Sequence, residues 1–240
     1  MLLGQFSFAV DGVMLAPTRA ELSATKKIET FTLTNNDKAT KLMQVEVYLW
    51  QQQDNQNVLT PTKDILVTPP IFKLQSGQYQ VVRTFFKPPV TGTLEQSYRV
   101  IFKEIAHLDE ANKNNAVTVL INMSVPVFIS KNNKASDQLT ATELSQLKTQ
   151  LSAGLSASVK QTPNQPTSMS IVNNNQTHVQ ILRASALVDN GTEITLPDIT
   201  GSILPMASHR WALSVALPAN VRQIKLNTTR GDLIVSLAQF

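Results

Sequence analysis

Val117-Thr118-Val119-Leu120-Ile121-Asn122-Met123-Ser124-Val125-Pro126-Val127-Phe128 is the stretch on which the reading of this chain turns. Side chains of an extended chain alternate sides, so Val117, Val119, Ile121, Met123, Val125 and Val127 share one face. Six such positions span roughly 33 Å at about 3.3 Å per residue, long beside the ~5–6 residues of a typical strand. The opposite face carries Thr118, Leu120, Asn122, Ser124, Pro126 and Phe128. Pro126 has no N–H for a ladder bond and marks a sheet edge or a domain junction. Two readings stay open. The stripe fills a sandwich core, or it forms an exposed edge that a partner joins by strand addition. The connection before it, Ala106 to Ala116, has eleven mostly polar residues, where hairpin loops usually have ~2–5. Such a loop is expected to be mobile alone and to order when a partner arrives.

Upstream, short alternating segments recur between turn residues. Phe31 and Leu33 alternate with Thr30 and Thr32 before Asn35-Asn36-Asp37. Met43, Val45, Val47 and Leu49 follow with period two and give way to Gln51-Gln52-Gln53-Asp54-Asn55. Ile65 to Val67, Val81 to Phe86 and Tyr98 to Lys103 complete the set. This spacing, with almost no helical periodicity, predicts a β-sandwich over residues 1–130. The polar run Ser130-Lys131-Asn132-Asn133-Lys134 reads as a junction. After it, Thr140-Ala141-Thr142-Glu143 has capping-box spacing, and Leu144, Leu147, Leu151 and Leu155 share a helical face, so a short helix is expected. Strands resume at Ser168 with Ile171-Val172, then His178 to Val188, Ile203 to Met206, Trp211 to Val215, Ile224 to Leu226 and Leu233 to Leu237. Asn173-Asn174-Asn175 and Asn190-Gly191 supply turns, the latter a two-residue hairpin signal. The expectation for 131–240 is a second, smaller β-sandwich.

Composition narrows the function. The 240 residues are 42% hydrophobic and 16% charged, ordinary for a globular protein, which excludes a disordered polymer. No apolar run reaches the ~20 residues of a membrane helix, so membrane insertion is not expected. The absence of cysteine excludes a disulfide scaffold, thiol catalysis and cysteine zinc sites. The net charge of +4 divides evenly, +2 in residues 1–133 and +2 in 134–240, whereas a nucleic-acid binder concentrates its charge. Met1-Leu2-Leu3 is too short for a signal-peptide core and reads as a start or the remnant of a removed signal. His107, His178 and His209 lack ligand spacing and read as isolated surface or packing groups. Asp109 and Glu110 sit in a polar loop and read as solvated. There is no Gly-x-Ser-x-Gly, no phosphate-cradling glycine loop and no His-Glu-x-x-His. No catalysis, metal or cofactor is expected.

The order of segments resembles a known family. Ala16-Pro17-Thr18-Arg19-Ala20-Glu21-Leu22, Phe31-Thr32-Leu33-Thr34-Asn35 and Val45-Glu46-Val47-Tyr48-Leu49-Trp50 begin the match. The run Val67-Thr68-Pro69-Pro70-Ile71-Phe72-Lys73-Leu74-Gln75-Ser76-Gly77-Gln78-Tyr79-Gln80-Val81-Val82-Arg83 is its most specific part. Tyr98 to Ile105, the long loop and the alternating strand follow, and Ser170-Ile171-Val172-Asn173-Asn174-Asn175 extends it into the second half. These features are similar to the PapD-like periplasmic chaperones of the chaperone–usher pilus pathway. Leu94-Glu95-Gln96-Ser97 replaces the acidic–basic–Glu–Ser run of the better-known branch, and Pro126 replaces its last-strand lysine. Both departures resemble the archaic, Csu-type branch.

The resemblance implies an all-β fold of two immunoglobulin-like β-sandwich domains set at an angle, periplasmic residence and no enzymatic activity. It implies a pilin-subunit partner whose own fold lacks its last strand. The long strand would fill that groove, with Val117, Val119, Ile121, Met123 and Val125 as donor residues, before an outer-membrane usher takes the subunit. Free, the exposed strand would invite self-association. The resemblance also implies a cationic anchor for the subunit's terminal carboxylate. Arg19 matches the first anchor residue, and Arg99 and Lys103, about 13 Å apart on one strand face, are candidates for the second. Two solvated surface charges are the competing reading of that pair. The competing function is a two-domain β-sandwich binding or adhesion module, which would need a surface aromatic cluster that Trp50 and Trp211 do not announce. The isomeric state of Thr68-Pro69 and Pro69-Pro70 is left open.

Overall fold

The computed structural model describes residues 12–105, 119–131, 139–161, 166–189 and 191–238. The loop 106–116, Val117 and His107 lie outside these residues. The chain runs β1 (Val13–Ala16), β2 (Ala20–Ser23), β3 (Ile28–Asn35), β4 (Lys41–Gln53), β5 (Gln56–Pro61), β6 (Ile65–Thr68) and β7 (Ile71–Leu74). It continues through β8 (Tyr79–Phe86), β9 (Gln96–Ile105), β10 (Asn122–Ser130), α1 (Ala141–Ala153), β11 (Leu155–Lys160) and β12 (Ser168–Asn173). Last come β13 (Val179–Val188), β14 (Glu193–Leu196), β15 (Gly201–Ile203), β16 (Ala207–Ala212), β17 (Val221–Thr228) and β18 (Gly231–Ala238). Among the described residues the fold is all-β apart from one helix, as the sequence predicts. No helix among the described residues is long and apolar enough to cross a membrane.

The residues pack as two compact units. The first comprises the described residues of Met1–Trp50, Leu59–Val90 and Ser97–Ile129, and the second those of Gln51–Val58, Thr91–Gln96 and Ser130–Phe240. In the first unit a four-stranded sheet, β1-β3-β8-β6, faces a sheet ordered β2-β10-β9-β4-β5 with β7 on β4. The period-two pattern sends Phe31, Leu33, Val82 and Phe86 inward from one sheet, and Met43, Val45, Tyr98, Val100, Phe102, Val125 and Val127 inward from the other. Edge-on pairs Phe31–Phe102 (5.6 Å) and Phe86–Tyr98 (5.9 Å) join the sheets. Each such pair adds about 0.5–1.5 kcal/mol beyond its buried area. Tyr98 Oη donates to Asp64 Oδ2 at 3.0 Å; burial and that bond push its phenol well above the usual range.

β4 is longer than its apolar residues suggest. Its glutamines continue the strand to Gln53, and Asp54 and Asn55, both with φ positive at 50° and 66°, turn it back into β5. Two left-handed residues are what a tight hairpin of this twist needs. Ala16-Pro17 and Thr68-Pro69 are cis.

In the second unit the strands form one continuous ladder, β14-β13-β17-β18-β11-β12-β16, with β15 on β13. Its two layers are joined by parallel pairing of β11 with β18 at Ala157↔Leu237 and Ser158↔Ala238. The capping box forms as expected: Glu143 N–H donates to Thr140 Oγ1 at 3.2 Å, and Thr140 N–H to Glu143 Oε2 at 2.9 Å. The helix stops at Ala153, so Leu155 starts β11 instead of closing the helical face. Gly154 is required there, because a Cβ would lie 2.1 Å from Asn175 Oδ1. Between β13 and β14, Val188 N–H donates to Thr192 O at 3.0 Å and Gly191 has φ 83°, while Asn190, the first residue of the expected two-residue turn, lies outside the described residues. Pro205-Met206 is a turn, so of the strand expected over Ile203 to Met206 only Ile203, the last residue of β15, is extended, and β16 begins after the turn.

The same device closes a strand in each unit. Asn35 and Asn173 are both fully buried and end β3 and β12. Asn35 Nδ2 donates to Ala39 O (2.8 Å) and Leu74 O (3.0 Å), and its Oδ1 accepts the Asp37 N–H (3.0 Å). Asn173 Nδ2 donates to Thr177 O (2.9 Å), Ile203 O (3.1 Å) and Leu204 O (3.0 Å), while Oδ1 accepts the Asn175 N–H (3.0 Å). Orphaning a buried polar group costs about 1–3 kcal/mol. Asn173→Ala is therefore expected to lower the unfolding free energy by at least ~3 kcal/mol. Urea denaturation checks it, and a loss below ~1 kcal/mol would mean that water replaces these bonds.

Candidate functional site

β10 lies between β2 and β9, but β2 has four residues and β10 nine, so β2 flanks only part of it. Burial along its apolar face is graded. Val127 and Val125 are core residues at 0% and 2% exposure, Met123 and Ile121 are half-buried, and Val119 is 77% exposed. The stripe thus begins in the unit's own core and runs out into solvent on one side. The strand starts at Asn122, later than the expected Val117, and Val119 to Ile121 precede it without regular pairing. Val125 is committed to the core and cannot be presented, so a donor face reduces to Val119, Ile121 and Met123 among the described residues. An apolar side chain left in water forgoes about 1.5–3 kcal/mol of burial, which a partner groove can recover.

The outer face of the same sheet carries the cations. On β4, Gln44, Glu46, Tyr48 and Trp50 point away from the core. Arg99 on β9 pairs with Tyr48 in the ladder, and its guanidinium lies 3.7 Å from the Trp50 ring centroid. Trp50 packs on Phe128 of β10 at 6.0 Å, and the Arg19 guanidinium sits 5.0 Å from the Phe128 centroid. The result is a ladder, Arg19–Phe128–Trp50–Arg99, whose two rings are buried and whose ends are guanidinium groups. A cation over a ring contributes about 0.5–1 kcal/mol when exposed and ~2 when desolvated. Arg19 also forms an ion pair with Glu21. Among the described residues Arg99 has no carboxylate partner, and burial pushes its guanidinium below the ordinary value. A guanidinium held over a ring still has N–H donors for a planar acceptor, which suits the ladder to a carboxylate.

Lys103 does not join it. It pairs with Glu46 and lies 5.8 Å from the Tyr48 ring centroid, while Tyr48 Oη donates to Glu46 Oε2 at 2.5 Å. That carboxylate, rather than a partner's, explains why Lys103 is raised, and the same bond lowers Glu46. Sequence reasoning found Arg19 and Arg99 but not the two rings that connect them. The available signal was Phe128, an apolar residue on the face opposite Val125 and Val127, and Trp50, in phase with Glu46 and Tyr48. Of the other candidates, His178 is buried with Nδ1 at 2.5 Å from Glu95 Oε1. His209 stacks edge-on against Trp211 at 4.4 Å, and burial lowers its pKa. Among the described residues no three His, Asp or Glu side chains are grouped to hold a metal.

This geometry defines a two-unit β-sandwich protein whose notable surface is a strand emerging from its core beside a capped cationic ladder. The sequence matches the family of pili and flagellar-assembly chaperones, PapD N-terminal domain, over residues 12–133, just over half of the chain. The chain belongs to this family and is a pilus chaperone, a class that is not enzymatic. None of the curated protein sequences matches it. Solved structures of the same fold include the CsuC–CsuE chaperone–tip adhesion subunit pre-assembly complex from archaic chaperone–usher Csu pili of Acinetobacter baumannii. That match has a TM-score of 0.68 at 20% identity, covering 95% of this chain and 99% of the other. The SafA pilin–SafB chaperone complex of Salmonella enterica matches at TM-score 0.61 and 16% identity, over 96% and 99%. The E. coli chaperone DraB matches at 0.58 and 19%, over 95% and 97%.

Proposed function

We propose that this chaperone holds pilin subunits in the periplasm by donor-strand complementation and passes them to an outer-membrane usher. The observation that carries this reading is the graded burial of the apolar stripe, from Val127 in the core part of β10 to Val119, exposed just before the strand begins. A strand rooted in a core is already ordered at one end, so less conformational entropy is lost when a groove takes the other end. Val119, Ile121 and Met123 are the donor residues, and Arg19 with Arg99 holds the subunit's terminal carboxylate. The CsuC–CsuE and SafA–SafB complexes are chaperone–subunit pairs, which supports a subunit as the partner here. The departures at Leu94 to Ser97 and at Pro126 favour a subunit of the archaic type.

Strand addition has a backbone signature, since the incoming chain pairs with the lender's N–H and C=O groups. Amide exchange at Val119 and Leu120 is expected to slow by at least about tenfold when a cognate pilin is bound. The measurement is hydrogen exchange on the free protein and on the co-purified complex. Unchanged exchange at these two amides, with protection elsewhere, would show binding without strand addition.

A further inference from the structure

The chain leaves the sandwich between Val125 and Val119, and its hydrogen bonds locate the point at Ile121. The Ile121 carbonyl accepts the Glu104 backbone N–H at 2.8 Å, whereas the Ile121 N–H goes to a side chain, Glu104 Oε2, at 3.1 Å. A regular ladder supplies a backbone acceptor at such a position. Here a carboxylate replaces it, and β10 begins one residue later. The carboxylate is itself held, because its Oε1 accepts from Lys41 Nζ at 3.0 Å. Lys41 is 8% exposed and also pairs with Asp37 at 3.1 Å. Burial alone would lower the Lys41 ammonium; its bonds to Glu104 and Asp37 outweigh that and keep it charged. Asp37, Lys41, Glu104 and Ile121 thus form an unbroken chain of polar contacts from the β3–β4 turn to the root of the lent strand.

We propose that Glu104, held by Lys41, is the positioning residue that sets where the donor strand leaves the sandwich, and hence which side chains face the subunit. The inference rests on the strand-lending reading above. A slip of one residue turns every side chain of an extended segment to the other face. The two arginines fix the subunit's end of the pairing, and the lender needs a fixed point of its own. Glu104 supplies it with two oxygens, one for the Ile121 N–H and one for the Lys41 ammonium. A glutamine has a single acceptor oxygen, and its NH2 group faces a cation if that oxygen turns to Ile121.

The test uses Glu104→Gln and Lys41→Met in the full chain, each with Val119→Cys added, against a pilin carrying single cysteines along its groove. With the native clamp one groove position forms the disulfide. Both clamp variants are expected to spread cross-linking over neighbouring positions, to weaken capture by at least about tenfold, and to speed amide exchange at Ile121 in the free protein. Lys41→Arg keeps the cation and is expected to keep the single register. A single register with native affinity in both Glu104→Gln and Lys41→Met overturns the clamp. Failure of the underlying reading looks different: Val119→Asp would then capture the pilin normally.

Discussion

Val119→Asp is expected to abolish pilin capture while leaving the melting temperature of the free protein unchanged. Val119 is 77% exposed, so an aspartate there stays solvated in the unbound protein and costs the fold nothing appreciable. In the complex the same carboxylate would enter an apolar groove without a partner, at a cost of several kcal/mol. Each ~1.4 kcal/mol is tenfold in affinity, so capture falls by roughly a hundredfold or more. Ile121→Asp should behave alike, with a modest loss of stability because Ile121 is half-buried. Val125→Asp is the contrasting control: at 2% exposure it places a charge in the first unit's core and is expected to prevent folding. Co-purification from a periplasmic co-expression, with thermal melts of the free variants, reads all three. Normal capture by Val119→Asp would refute strand lending through this face.

The anchor makes the second large effect. Arg19→Ala and Arg99→Ala should each remove one end of the ladder proposed to receive the subunit's carboxylate. Truncating one side of a desolvated charge pair costs about 2–5 kcal/mol, a loss of roughly thirty- to several-thousand-fold in affinity. The free protein should tolerate the change. The stacking lost at Trp50 or Phe128, on the order of 1 kcal/mol, is partly offset by relief of a buried charge, so the melting temperature should move by no more than ~2–4 °C. Arg99→Lys should recover only part of the affinity, because an ammonium cannot both lie flat on Trp50 and offer a planar fork. Lys103→Ala should change nothing, since its pair with Glu46 is a surface one. Binding measured with a pilin whose C-terminus is amidated gives the matching test. If Arg19→Ala and Arg99→Ala both bind the free-acid pilin with native affinity, the ladder is packing and not an anchor.

Arg19 was named only through the family resemblance, whereas local chemistry sufficed for the sandwich, the capping box at Thr140 and the asparagine turns at Asn35 and Asn173. Each depends on residues close in sequence: alternation along a strand, a cap and its third neighbour, a turn and its own side chain. The ends of β4 and the whole of β5 escaped because Gln51 to Gln53 and Gln56 to Pro61 are polar strand residues. β5 is exposed throughout, so no buried face imposes an apolar alternation that a reader could find. Depth escaped for a related reason. Val119 and Val127 occupy equivalent places in one alternating pattern, yet one is 77% exposed and the other 0%. Alternation encodes the side of a strand on which a residue lies, while neighbouring strands decide how far the core reaches along it. The cationic ladder is wholly tertiary. Arg19, Trp50, Arg99 and Phe128 are far apart in the chain, and the side-by-side placement of β2, β10, β9 and β4 brings them onto one face. Alternation alone announced a long apolar strand, and the family resemblance pointed to an arginine. Only strand pairing decided which part of the strand stands free, and that the arginine is joined to a second one through two buried rings.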